Sequence, residues 1–269
     1  MALRVFLSIS VVCLIFWGMR PSLTNVLCDN ADPVGEIPTE WMEDPHSLTP
    51  ILNQTFTYFS KGSQSYVYLS ADGQYVLKFL KQNKLQGAHH NEKRLKTFNA
   101  IKTALQFFRK ETGILYAHLT SSQPFCHIVH LVDRHGKEHQ IDLNFTCCLL
   151  QRRASLIYPR IDALMQQGEL DKAHAVILSV FDLLAHLGSA GVIDNDPILR
   201  KNFGLIDDRA VQIDIGRMQI DPDRLNGIQY TKELRSITTS FGKWIHLNHP
   251  TLSPFFEEAL RRYENCNSR

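Results

Sequence analysis

Three short segments rich in aromatic and β-branched residues constrain the fold more than any other part of the chain. They are Thr55–Ser60, Tyr66–Ser70 and Tyr75–Phe79, and Asp72-Gly73 lies between the second and the third. Aspartate followed by glycine between two such segments is the strongest short signal of a β-hairpin. The sequence therefore predicts three antiparallel strands over residues 55–79.

The third of these strands carries one lysine among apolar residues. Alternation along the strand places Lys78 on the same face as Val76 and Leu80. A lysine that points inward is costly unless it meets an anion. Lys78 is therefore a candidate anion-binding residue.

A second group of candidate residues follows a helical pattern that ends near Gly188. Three oxygen-bearing side chains, Asp196, Asn202 and Asp214, stand at the ends of the loop and the hairpin that come next. Such hard oxygen ligands suit Mg²⁺, which proteins hold through one or two carboxylates together with substrate phosphates. This region therefore predicts a magnesium site.

The first 20 residues predict a signal or anchor segment that is not part of the fold. Val5–Met19 is an uncharged apolar run, and small residues of a cleavage site are hard to find after it. We expect an uncleaved, single-pass membrane anchor, with a cleaved signal and secretion as the alternative. Residues 21–54 are acidic and contain several prolines, which is typical of a linker.

The overall composition is that of a folded globular chain. Of its 269 residues 44% are hydrophobic, and a net charge of +2 gives no reason to expect a nucleic-acid partner. Six cysteines are too sparse for a disulfide scaffold. We expect Cys147 and Cys148 to be small core residues on opposite faces of a strand.

The order and spacing of these pieces resemble the protein-kinase-like fold. That family has a glycine-rich loop, a lysine on the third strand, a catalytic loop with Asp and Asn, and a metal-binding Asp-Phe-Gly triplet. The resemblance covers about residues 58–217. The chain is also similar to uncharacterised kinase-fold proteins of intracellular bacteria, a likeness that implies no activity. The matching positions are Gly62, Ser63, Ser65 and Val67 for the phosphate loop, Lys78 for the strand lysine, Asp196 for the catalytic aspartate, and Asn202 and Asp214 for the metal ligands.

This resemblance implies an α+β, two-lobed protein-kinase-like fold. Residues 55–150 would form an N-lobe with a five-stranded antiparallel sheet plus a helix, and residues 151–269 a small, mainly helical C-lobe. His127–Val132 and Gln140–Leu150 are expected to supply the last two strands of the sheet.

The resemblance also implies ligands and roles. The ligands are ATP and Mg²⁺, with Lys78 on the phosphates and Asp196 accepting the proton of an acceptor hydroxyl. An acidic partner for Lys78 is expected in the helical stretch from about residue 89 to residue 111, where we favour Glu111 over Glu92. The sequence does not identify the phosphate acceptor or any protein partner.

Departures from the family pattern bear on catalysis more than on fold. Two of the three loop glycines are replaced by serine, and Asp194 and Asn195 stand where the catalytic loop has His and Arg. Five residues, not four, separate Asp196 from Asn202. An inactive pseudokinase that still binds nucleotide and a membrane-tethered interaction module are therefore alternatives to a phosphate-transferring enzyme.

Overall fold

The structure is a computed structural model that describes residues 36–81, 88–120, 127–194, 196–221 and 227–266. The predicted anchor, residues 1–20, and the first part of the predicted linker lie outside the described residues. None of the helices within these ranges has the length and apolar character needed to cross a membrane.

The described chain forms two compact units. The first comprises residues up to Glu92 together with Tyr116–Leu150, and the second comprises Lys93–Leu115 together with the residues from Gln151 onward. Helix α1 (Pro45–Leu52) lies in the first unit, and most of helix α2 (Ala88–Phe107) belongs to the second.

Seven strands form a mixed sheet, and their residues belong to the first unit except for residues 114–115 and 151–152. The strands are β1 (Thr55–Lys61), β2 (Ser65–Ser70), β3 (Tyr75–Leu80), β4 (Ile114–His118), β5 (Ile128–Val132), β6 (Glu138–Asp142) and β7 (Cys148–Arg152). Their order across the sheet is β4-β7-β3-β2-β1-β5-β6. Strand β1 pairs antiparallel with β2 and parallel with β5. The first three strands confirm the sequence prediction almost to the residue.

The expected five-stranded antiparallel sheet is corrected in three respects. The sheet is mixed, because β1 and β5 are parallel. The segment expected as one strand, Gln140–Leu150, is two strands separated by a turn of 3-10 helix at Leu143–Phe145. The carboxylate of Asp142 caps that turn by accepting a hydrogen bond from the N–H of Asn144 at 2.9 Å. The third difference is that β4 was not predicted. Its residues are almost continuously buried, so the segment lacks the alternation that marks a half-buried strand.

Local turn chemistry explains the β2–β3 hairpin. Gly73 has a φ of +70°, a conformation that glycine adopts without steric cost. Its N–H donates to the carbonyl of Ser70 at 2.9 Å, and the carboxylate of Asp72 accepts from the N–H of Gln74 at 2.9 Å. The turn thus fixes the register that places Val67 opposite Lys78.

Aromatic and aliphatic side chains from β1 to β3 form the core of the first unit. Phe56, Leu77 and Phe79 are fully buried, and the ring of Tyr68 meets that of Phe79 edge to face with centroids 5.5 Å apart. Burial of each such side chain contributes about 1.5–3 kcal/mol.

The second unit is mainly helical and contains two small sheets. After α2 and the single turn α3 (Arg109–Thr112), its remaining elements are β8 (Ser155–Leu156), α4 (Ile157–Gln166), α5 (Leu170–Ser189), β9 (Val192–Asp194), α6 (Leu199–Asn202), β10 (Phe203–Ile206), β11 (Arg209–Gln212), β12 (Met218–Ile220), α7 (Gly227–Asn248) and α8 (Ser253–Cys266). One small sheet has the order β11-β10-β8 and the other pairs β12 with β9.

Three long helices pack around phenylalanine rings. The ring centroid of Phe256 on α8 lies 5.5 Å from that of Phe181 on α5 and 5.7 Å from that of Phe241 on α7. A Cβ on Gly242 would come within 2.6 Å of the Phe256 ring, so glycine is needed for this close approach. The two small sheets, rather than this helical core, carry the candidate site residues.

Candidate functional site

A connection from β9 to β11 in the second unit carries the three residues expected at a metal site. Asp196 follows β9, Asn202 ends α6, and Asp214 follows β11. The sequence predicted a hairpin here, and β10 and β11 pair antiparallel with the turn at Asp207 and Asp208. Both turn residues have positive φ, 52° and 56°, as a two-residue hairpin turn of type I′ requires.

The extra residue between Asp196 and Asn202 is accommodated by one turn of helix. The N–H of Ile198 donates to the carbonyl of Asp196 at 2.8 Å, and the N–H of Asn202 donates to the carbonyl of Ile198 at 2.9 Å. This turn brings the two residues close together, and the Nδ2 of buried Asn202 donates a hydrogen bond to the carbonyl of Asp196 at 2.6 Å.

In the side-chain amide of Asn202, the nitrogen is hydrogen-bonded to a described residue and the oxygen is not. Its Nδ2 is engaged by Asp196, whereas its Oδ1 accepts no hydrogen bond from the described part of the chain. An amide oxygen held in this way is a suitable hard ligand for Mg²⁺.

Asp214 is fixed next to Asn202 through the backbone. The carbonyl of Asn202 accepts from the N–H of Ile213 at 2.8 Å and from the N–H of Asp214 at 3.3 Å. The Asp214 side chain is exposed, and its Oδ1 lies 3.4 Å from the N–H of Gly216. Its Oδ2 has no hydrogen-bond partner among the residues that the structure describes.

Asp196 is held by a hydrogen bond from its own backbone N–H and by an ion pair from its side chain to an arginine. Its N–H donates to Oδ1 of Asp194 at 2.9 Å, and its Oδ2 lies 3.3 Å from a guanidinium nitrogen of Arg217. The ion pair is partly exposed, because the two side chains keep 47% and 36% of their accessible surface. The sequence did not predict a role for Arg217.

Asp194 is the most perturbed carboxyl group of this region. Burial raises its pKa from the ordinary 3.8 to about 6, and the charges of Asp214 and Asp196 also act to raise it. The hydrogen bond from Asp196 and the charge of Arg217 act in the opposite direction. Such a perturbed acid among other carboxylates is a frequent mark of a functional site.

Gln212 joins Asp194 to Asp214. Its Nε2 donates to Oδ2 of Asp194 at 2.7 Å and lies 3.2 Å from the carbonyl oxygen of Asp214. Gln212 is 1% exposed. No role for Gln212 was predicted, because its pairing with Asp194 spans 18 positions and leaves no periodic signal in the sequence.

The remaining predicted residues of the phosphate site lie in the first unit. Lys78 is half-buried on β3 opposite Val67 on β2. Gly62 and Ser63 lie in the turn between β1 and β2, and Ser65 is the first residue of β2. The N–H of Gly62 donates to the carbonyl of Ser65 at 2.9 Å. A Cβ on Gly62 would meet nothing closer than 4.0 Å, so the fold itself does not require glycine there.

A lysine that the sequence reasoning missed closes the same turn. The Nζ of Lys81 donates to the carbonyl of Gly62, and its backbone N–H donates to the carbonyl of Gln64 at 2.8 Å. Burial lowers the pKa of Lys81, and the charge of Lys61 adds to this effect. Two cations thus flank the turn of Gly62.

The two candidate acidic partners of Lys78 differ in their surroundings. Glu111 lies in the second unit, with its Oε1 3.6 Å from Nε2 of His186. Glu92 is an exposed residue near the start of α2 and is assigned to the first unit, as is Lys78. The pairing of Glu111 with Lys78 stays a prediction.

Comparison with known proteins gives matches among solved structures. No protein-family model matches the chain, and no curated protein matches it. Among solved structures, the chain is similar to the bifunctional kinase-methyltransferase WbdD, with 15% sequence identity and a TM-score of 0.38. The match covers 74% of this chain and 43% of WbdD, so this chain spans less than half the length of that protein.

Proposed function

We propose that this protein is an atypical kinase-like protein that binds ATP with Mg²⁺ and transfers a phosphate to a hydroxyl acceptor. The observation that carries the proposal is that Asn202 and Asp214 are adjacent in the structure. Their backbones hydrogen-bond to each other, and each side chain keeps one oxygen without a partner in the described part of the chain.

Mg²⁺ fits this pair by its ligand chemistry. An amide oxygen and a carboxylate oxygen are hard ligands, and Mg²⁺ usually completes its shell with phosphate oxygens and water. Within the described ranges, no group of three or more His, Cys, Asp or Glu side chains is arranged to hold a metal by itself. A metal held by Asn202 and Asp214 would therefore depend on phosphate. Once bound with the nucleotide, it would neutralise charge on the phosphates.

Asp196 is the residue that we assign to the transfer step. In that step the acceptor oxygen forms a bond to the terminal phosphorus, the bond from phosphorus to the bridging oxygen breaks, and ADP leaves. The hydroxyl proton passes to the carboxylate of Asp196. Asn202 restrains the backbone of Asp196, which supports a positioned rather than a mobile carboxylate.

Two features of the first unit support phosphate binding by Lys78 and the turn at Gly62. Glycine is present where the protein itself leaves room for a side chain, which is expected where another molecule's phosphates approach the backbone. Lys61 and Lys81 also give this turn positive charge. We assign Lys78 to the α- and β-phosphates.

Calorimetric titration of the full chain with ATP tests this proposal. We expect Mg²⁺-dependent binding that is lost in Asp214→Ala and weakened at least tenfold in Lys78→Ala, with both variants folded. Asp171→Ala is the control, because Asp171 is an exposed carboxylate in the first turn of α5. Binding that is unchanged in Asp214→Ala would contradict the metal assignment.

A nucleotide-binding pseudokinase is the second candidate, and the Asp196–Arg217 ion pair favours it. A carboxylate engaged by a guanidinium is less available as a proton acceptor. Transfer of radiolabelled phosphate from ATP to protein or small hydroxyl compounds distinguishes the two. ATP binding without Asp196-dependent transfer would assign the protein to the pseudokinases.

Attachment to a membrane and export stay proposals. Cys147 is buried, as expected of a core residue, and it is also disulfide-bonded. Disulfides persist mainly in oxidising compartments, which supports passage of this domain across a membrane. Because ATP is scarce outside cells, such a location favours a binding role or delivery into another ATP-containing compartment.

A further inference from the structure

A cavity of about 180 Å³ lies in the second unit beside the candidate site. Its apolar lining comes from Leu184 and Leu187 on α5, Phe203 on β10, and Leu234 and Ile237 on α7. Apolar cavities of about 150 Å³ are known to take up one benzene molecule. The volume and the lining are therefore suited to one six-membered ring.

Four polar residues, Asp194, Gln212, Glu233 and Ser236, also line this cavity. Gln212 is almost completely buried, and its Nε2 is engaged by Asp194 and by the Asp214 carbonyl. Its Oε1 is buried and accepts no hydrogen bond from any group that the structure describes. Buried amide oxygens in native proteins normally have a partner.

The unsatisfied oxygen of Gln212 in this cavity requires a hydrogen-bond donor. Gln212 Oε1 can only accept a hydrogen bond, and the carboxylate oxygens of Asp194 and Glu233 are acceptors when ionised. The hydroxyl of Ser236, an exposed residue, can donate as well as accept. A ligand with an N–H or O–H group at one end of an aromatic ring would supply the missing donor while its ring fills the apolar part. A ring without such a group would leave Oε1 unsatisfied.

We propose that this cavity is a binding site for a small single-ring aromatic compound that carries one hydrogen-bond donor. Its ring lies against Leu187 and Phe203, and its donor binds Gln212 Oε1. This site is distinct from the proposed metal ligands Asn202 and Asp214, which do not line the cavity. The proposal therefore does not depend on nucleotide binding.

The probe for the test is phenol, and toluene is its isosteric control without a donor. Both are titrated into the full chain with ¹³C-labelled Leu and Ile methyl groups while the NMR spectrum is followed. We expect saturable shifts at Leu184, Leu187 and Ile237. Phenol should bind about tenfold more tightly than toluene, which is the ratio that one ordinary buried hydrogen bond gives.

Two variants on one helix make the location testable. Leu187→Phe fills the cavity and should abolish both titrations. Leu183→Phe is the matched control, because Leu183 is buried on the same helix but does not line the cavity, and it should leave them unchanged. Gln212→Leu should reduce the affinity of phenol to that of toluene.

Three results would overturn the proposal. They are the lack of a saturable shift for phenol in the wild-type chain, equal affinities of phenol and toluene there, and unchanged phenol binding in folded Leu187→Phe. The wild-type titration decides the first two even if a variant fails to fold.

Discussion

The N–H of Asp214 donates to the carbonyl of Asn202 at 3.3 Å, so the two expected metal ligands are fixed together by the main chain. The spacing of the ligands thus depends on the hairpin rather than on their side chains. A loop rearrangement that separated them would have to break this hydrogen bond and that of Ile213 to the same carbonyl. Preorganised ligands of this kind lower the cost of binding a cation.

The two ligands should respond differently to truncation. Asn202→Ala removes a buried side chain whose Nδ2 satisfies the Asp196 carbonyl, so we expect the free energy of unfolding to fall by about 1–3 kcal/mol. Asp214→Ala removes an exposed carboxylate and should change it by less than about 0.5 kcal/mol. Urea denaturation measures both. Equal losses of unfolding free energy in Asn202→Ala and Asp214→Ala would contradict the structural role that we assign to Asn202 alone.

Asp194 should make stability depend on pH in mildly acid solution. Its pKa is raised to about 6 in the folded chain from an ordinary 3.8, so between these values the folded state binds more protons than the unfolded state. The contribution of this group to stability therefore falls as pH rises from about 4 to about 6 and is constant above that range.

Asp194→Asn is the variant that isolates this contribution, because it cannot titrate. The difference in unfolding free energy, wild type minus variant, should decline between pH 4 and pH 6 and then level off. Urea denaturation at half-unit pH intervals measures the difference. A difference that rises with pH would indicate a lowered pKa and would contradict the burial argument.

Local signals in the sequence were sufficient for the first three strands and both tight turns. Asp72-Gly73 specifies its turn through a side-chain hydrogen bond and a positive φ within two residues. The Asp207–Asp208 turn is likewise a local feature between two short apolar runs. Such features depend on neighbours in the chain, which a sequence displays directly.

Pairings between distant positions were not predictable in the same way. The parallel pairing of β1 with β5 joins Thr55 to His130, and no pattern in either strand specifies it. Of the candidate site, Asp196, Asn202 and Asp214 were predicted and share one loop and hairpin. Their partners were missed, because a glutamine or an arginine becomes informative only when its spatial neighbours are known.

The two adjacent cysteines should differ sharply in reactivity. Cys148 is a free, fully buried thiol, and burial raises its pKa to about 12. Cys147 is disulfide-bonded; its sulfur lies 3.3 Å from the Leu119 carbonyl, a contact without a donated hydrogen. Iodoacetamide should therefore label neither residue in the native chain, Cys148 alone after denaturation, and both after denaturation with reduction.

Peptide mass spectrometry distinguishes these outcomes. Labelling of Cys147 in the denatured but unreduced chain would show that the disulfide is not formed. Labelling of Cys148 in the native chain within minutes would contradict its burial.

Two glycine-to-alanine variants should separate folding from ligand binding. Gly204→Ala places a Cβ 2.8 Å from both the Ala154 side chain and the Ser155 carbonyl, so backbone must shift and stability should fall by about 1–3 kcal/mol. Gly62→Ala meets only Ser65 Oγ at 4.0 Å and should leave stability unchanged. If ATP phosphates approach the Gly62 turn, however, the added methyl group should weaken ATP binding severalfold. Thermal unfolding and calorimetric titration of both variants test this, and unaltered ATP affinity in Gly62→Ala would place the phosphates elsewhere.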